Sequence, residues 1–102
     1  MNRPFKNIES SSLLTFDGLQ AVCFFVHMTS NITSPRIMNI SPGELYTFVF
    51  TQDAVGGRFI NWPANTFNAQ PIDPAPNSIT VQNFIGNTGG IVYANVPPSR
   101  TP

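Results

Sequence analysis

The side chains with the strongest chemical character lie in one short run, Gln52-Asp53-Ala54-Val55-Gly56-Gly57-Arg58. An amide, a carboxylate and a guanidinium this close together can build an ion pair, ligate a cation or read a polar ligand. The simplest arrangement is structural. Asp53 accepts hydrogen bonds from the N–H groups of the loop that follows it, and Arg58 reaches back to Asp53 or Gln52. A calcium site needs about six or more oxygens, and one carboxylate does not begin to supply them. His27 is the one histidine and Cys23 the one cysteine. Zinc held by a lone His and a lone Cys, or a Ser-His-Asp nucleophile, would need partners that nothing in the spacing provides. His27 is therefore expected to be a solvated or interface residue. No catalytic, metal-ligating or cofactor-binding residue is expected, and the chain reads as not an enzyme.

Two glycine pairs, Gly56-Gly57 and Gly89-Gly90, bring a phosphate cradle to mind. Neither is followed by a helix or by the lysine of a P-loop, so turn chemistry explains both. Asn31-Ile32-Thr33 and Asn39-Ile40-Ser41 fit the glycosylation pattern, but no secretory signal precedes them. Trp62, Phe67, Phe59 and Tyr93 offer either a sugar-stacking platform or core and subunit-interface packing. The second needs fewer assumptions.

The totals bound what can hold these residues. A chain of 102 residues suits one domain with a small core. Charged residues are 10% of it, against roughly 25% in an average domain. The net charge is zero, which argues against electrostatic steering to nucleic acid or to an anionic membrane. The longest apolar run, residues 21–26, is far too short to cross a bilayer. Cys23 has no partner for an internal disulfide and is expected to be a small buried apolar residue in that run. A neutral protein with so few charges is prone to association.

No window has helical periodicity. The central feature is expected to be a β-hairpin over residues 44–62. Its first strand is residues 45–52, with Tyr46, Phe48 and Phe50 on one face and Leu45, Thr47, Val49 and Thr51 on the other. Gly56 and Gly57 supply the positive φ of the loop, and residues 58–62 return as far as Pro63. Other strands are expected at residues 10–16, 19–29, 36–40, 78–85 and 91–96. In the second of these, Val22, Phe24, Val26 and Met28 share one face. Ser41-Pro42-Gly43 has the form of a type II turn. Residues 64–77, rich in proline and amide side chains, read as an ordered surface loop with a short β-piece near Phe67. Gly86 to Gly90 reads as a second hairpin turn. The fold class is all-β: a small antiparallel, jelly-roll-like β-sandwich of seven or eight short strands. An N-terminal arm covers residues 1–9, the sandwich 10–96, and a proline-rich C-terminal arm 97–102.

Residues 40–93 resemble a β-domain that recurs in bacteriophage virion proteins, chiefly tail fibres and related appendages. The resemblance rests on Pro42-Gly43, Tyr46-Thr47-Phe48-Val49, Gln52-Asp53-x-x-Gly56-Gly57-Arg58, Trp62-Pro63, the apolar strand from Ser78, the Gly86-Asn87-Thr88-Gly89 turn and Val92-Tyr93. Residues 24–32 look like the strand that precedes a Thr-rich bend in that family. The family's usual Lys or Thr before Gln52 is replaced here by Phe50 and Thr51. The resemblance implies a virion structural protein, assembled in the host bacterial cytoplasm, that forms homotrimers and binds the major capsid protein or another virion protein.

Two expectations follow. Because the chain starts with Met and stops at residue 102, the first is a small capsid decoration or cement protein that stabilises the particle. The alternative is a tail-fibre or adhesin module that binds a host receptor or surface glycan. Its ligand would sit on residues 64–77 and on the turns at 53–57 and 86–90.

Overall fold

A computed structural model describes residues 4–67, 69–87 and 90–93, with Phe67 and residues 90–93 described by backbone alone. The C-terminal arm, Thr88 and Gly89 lie outside the described residues. The elements are β1 (Phe5–Glu9), β2 (Thr15–Asp17), β3 (Cys23–Met28), β4 (Arg36–Met38), β5 (Leu45–Gln52), β6 (Thr66–Phe67), β7 (Ile79–Asn87) and β8 (Gly90–Tyr93). They form a six-stranded sheet in the order β1-β3-β5-β7-β8-β6 and a two-stranded sheet of β2 and β4. The chain is all-β, with no helix among the described residues.

The strand directions depart from the expected antiparallel arrangement. β1 with β3, β3 with β5, β2 with β4 and β6 with β8 are parallel pairs. Only β5 with β7 and β7 with β8 are antiparallel. Parallel neighbours need a crossover connection, and here the crossovers themselves carry strands. The chain lays down β1, crosses to β2, returns as β3, crosses to β4 and returns as β5. The first half is therefore a short coil alternating between two sheets, and the antiparallel β7–β8 pair closes one side. Residues 5–9, read as an arm, are the edge strand of the main sheet. Polar FKNIE, with exposed side chains at most positions, carries no alternating apolar signal to mark it as a strand.

Burial follows the alternation of β5. Tyr46, Phe48 and Phe50 are buried, while Leu45 on the other face is 46% exposed. In register beside them, Phe24 and Val26 of β3 point into the same core. Phe16 of β2 joins the two sheets, its ring 5.2 Å from Phe24 and 5.0 Å from Phe48. Phe48 also contacts the rings of Phe50, Trp62 and Phe84, so the core is an aromatic cluster centred on β5. The turn before β5 has Gly43 at φ +82°, and Glu44 N–H donates to Ser41 O at 3.2 Å, the geometry of a type II turn.

Residues 58–62 do not return along β5, because both edges of β5 are already taken by β3 and β7. Ile60 instead makes an isolated parallel bridge to Ile32. The expected central hairpin is thus one strand, β5, followed by a loop that crosses the end of the sheet.

The loop-bearing end of the sheet and its open face

β1, β3 and β5 run parallel, so their carboxyl ends lie at one end of the sheet, together with the start of antiparallel β7. The loops of residues 10–14, 29–35, 53–65 and 71–78 meet there. Hydrogen bonds tie them to one another. Ser10 Oγ accepts from Thr29 N–H at 2.9 Å and Ser30 N–H at 3.0 Å. Ser34 N–H donates to Ser12 O, and Ile32 and Phe59 are tied by the Ile32 N–H to Phe59 O bond. Asn31 Oδ1 accepts from Phe59 N–H at 3.0 Å.

Gln52 is the keystone of this end. Its side chain is 2% exposed. The amide donates to Arg58 O at 2.7 Å and Asp73 O at 3.1 Å, and its oxygen accepts from Arg58 N–H at 3.2 Å. The side chain thereby pairs with Arg58 as a strand residue would. Asp53 closes the loop beneath it. One carboxylate oxygen accepts from Gly56 N–H at 2.9 Å and Val55 N–H at 3.2 Å, while the other accepts from Arg58 Nη2 at 3.0 Å. Gly56 and Gly57 both have φ +74°. Gly56 also lies against the backbone of Pro74 and Pro76, where a Cβ would come within 2.7 Å of Pro74 O. This close approach is how the 53–57 loop and the proline-rich segment pack together.

The Arg58 bond and the loop N–H bonds hold the Asp53 carboxyl below the usual carboxylate range. A depressed folded pKa contributes stability at pH above the ordinary value near 3.8, and that contribution is lost as pH falls below it. In an acid titration followed by circular dichroism, the Asp53→Asn variant is expected to lose less stability than the parent between pH 5 and strong acid (about pH 2). An equal loss in both would show that Asp53 contributes nothing to acid sensitivity. Asp17 is held low for a similar reason, by Asn39 Nδ2 at 2.8 Å and Leu19 N–H at 2.9 Å.

The loops proposed from sequence to share a ligand do not all converge. The 53–57 turn and residues 71–77 meet, through Gly57 N–H to Pro74 O and Asn77 N–H to Asp53 O. Gly86 lies at the opposite end, bonded to Glu44 and Gly43, because antiparallel β7 carries it there. Trp62 packs edge-on against Phe48 and Phe50, with its Nε1–H donating to Gln70 O at 3.0 Å, so it belongs to the core wall. The side chains of Phe67 and Tyr93 lie outside the described part of the structure. Gln82, not singled out from sequence, is 1% exposed and holds both backbone groups of Gln70 through its amide. Its sequence signal is its inward phase in β7, between Thr80 and Phe84.

The main sheet has one buried face and one open face. On the open face, the parallel register sets Glu9 beside His27 and Asn7 beside Phe25. Glu9 Oε1 lies 3.3 Å from His27 Nδ1, and Thr29 Oγ1 donates to Glu9 Oε2 at 3.2 Å. A concavity of about 490 Å³ opens over these residues, lined also by Phe25 and Thr51. Cys23, expected to be buried, is half-buried on the same face, and burial pushes its thiol pKa up. Among the described residues no three His, Cys, Asp or Glu side chains come together as a metal site.

No curated protein and no solved structure matches the chain. A family model described as "Putative phage tail fibre C-terminal domain" matches residues 15–90, from the start of β2 to the start of β8. This favours the tail-fibre alternative over capsid decoration. With most of its length matched, the chain belongs to this family of phage tail-fibre domains and is a virion component.

Proposed function

We propose that the chain is a non-enzymatic structural domain of a phage tail fibre whose loop-bearing end meets the host surface. The observation that carries this reading is the convergence of four loops at one end of the main sheet. They are held there by Ser10, Asn31, Gln52 and Asp53, and carry exposed Leu13 (76%), Val55 (72%) and Phe59 (44%). Recognition tends to reside on loops fixed to a rigid scaffold. The family match supports the tail over the capsid shell. We read the two sheets, joined through Phe16, as an abridged sandwich with β2 and β4 as its second layer. Association of copies, as the homotrimer implied by the family resemblance, is part of this proposal. The exposed Leu45, Val81 and Ile85, confined to the β5–β7 half of the open sheet face, support it.

Quantitative mass spectrometry of purified particles, with an antibody against this domain in electron microscopy, tests the reading. Expected are a copy number matching the tail fibres and label on the tail. A copy number matching the capsid lattice, with label over the head, would restore the decoration reading.

A further inference from the structure

Resting on that reading, we propose that the concavity on the open face, over the ends of β1, β3 and β5, is a subsite for a neutral pyranose of a host-surface glycan. Its volume is about 490 Å³ and it is open to solvent on one side, so a single ring can lie against its floor. The lining has the mixed chemistry a sugar requires. Phe25 is 41% exposed, and Phe5 stands edge-on to it with ring centroids 5.8 Å apart. Of the two, Phe25 lines the concavity and gives an apolar face for the C–H side of a sugar ring. Around it stand an amide (Asn7), a carboxylate (Glu9), an imidazole (His27) and a hydroxyl (Thr51), which offer both donors and acceptors to ring hydroxyls.

Two features separate a binding surface from a merely solvated one. The Glu9 carboxylate, though exposed, has His27 Nδ1 and Thr29 Oγ1 within hydrogen-bond reach, which narrows its orientations before any ligand arrives. The Asn7 amide and the Thr51 hydroxyl have no intrachain hydrogen-bond partner among the described residues and are available to a ligand. The charge chooses the class. No Lys or Arg lines the concavity, and Glu9 is its one carboxylate. An acidic sugar or a phosphate would meet a carboxylate with no fixed cation to offset it. The site adjoins the converging loops, since Glu9 ends β1 and Thr51 stands one residue before the end of β5. A glycan engaged by those loops can therefore place one ring here.

The test is titration of the full chain, followed by NMR amide shifts, with glucose, galactose, mannose and N-acetylglucosamine, and with glucuronic and sialic acids as anionic probes. At least one neutral sugar is expected to bind at millimolar concentration and shift amides of β1 and β3, with the anionic probes at least about tenfold weaker. Phe25→Ala and Glu9→Gln are each expected to weaken that binding about tenfold. Glu9→Gln keeps the side-chain shape and an exposed position, so its thermal midpoint should stay near that of the parent. Absence of any neutral-sugar shift, equal binding of the acids, or unchanged binding by both variants would overturn the subsite. Binding of the chain to host cells separates the two levels. If the parent and both variants bind cells equally, the subsite is wrong and host recognition stands. If the parent does not bind cells, the recognition reading falls and the subsite with it.

Discussion

Phe48→Ala is expected to be the most damaging single substitution in the core, costing about 3–5 kcal/mol. A domain of this size has about 5–15 kcal/mol in total, so the variant would keep only a small margin or none. Phe48 is fully buried and its ring meets those of Phe16, Phe24, Phe50, Trp62 and Phe84. These rings come from β2, β3, β5, β7 and the loop before β6. No rearrangement of one neighbour can fill the hole, because every neighbour is fixed in a different element. Thermal unfolding should show a midpoint lower by roughly 12–40 °C, at about 4–8 °C per kcal/mol. Phe25→Ala, on the open face of the neighbouring strand, provides the contrast, with a change of less than about 1 kcal/mol expected. Equal effects at the two positions would mean that the open face is packed as tightly as the core.

Gln52→Glu is expected to be nearly as costly at neutral pH, although it changes one atom type. The amide nitrogen of Gln52 donates to Arg58 O and Asp73 O. A carboxylate cannot donate, and it would be buried facing two carbonyl oxygens. The loss is expected to be about 3 kcal/mol or more. The pH dependence is diagnostic. The buried carboxyl would bind its proton more tightly folded than unfolded, and the protonated form recovers one donor. The variant should therefore be most stable in acid and lose stability as pH rises above the ordinary carboxylate value, about 4.3. Asp53 pushes the parent's stability the opposite way over the acid range, since its folded pKa is depressed. Urea unfolding of parent and variant at about pH 4 and pH 7 would show the gap widening with pH. A gap independent of pH would mean that residue 52 does not sit facing those carbonyls.

These two residues also show how much the sequence disclosed. Phe48 is legible, because Tyr46, Phe48 and Phe50 alternate with smaller residues and one phase had to be buried. The turn at Gly43 is legible from the Ser-Pro-Gly order, and the short β-piece near Phe67 appears as β6. Strand direction is not legible. Side-chain alternation is the same in parallel and antiparallel pairs, so the pattern fixes faces but not partners. That ambiguity produced the expected hairpin over residues 44–62. It also hid the Glu9–His27 and Asn7–Phe25 neighbours, which exist only because β1 lies parallel to β3. β1 itself was hidden by its polarity, since an edge strand open on most sides carries little apolar signal. Gln52 was singled out for its neighbours Asp53 and Arg58, but its pairing with the backbone of residue 58 depends on β5 having both edges filled.

Competition for host adsorption tests the recognition role most directly. Host cells are incubated with the purified chain before phage is added, and adsorption is measured as loss of free particles. The expected result is a dose-dependent fall in adsorption, relieved when exposed loop residues Leu13 and Phe59 are replaced by serine. Undiminished adsorption at a concentration of chain that saturates any cell binding would contradict the reading of this domain as the part of the fibre that meets the host.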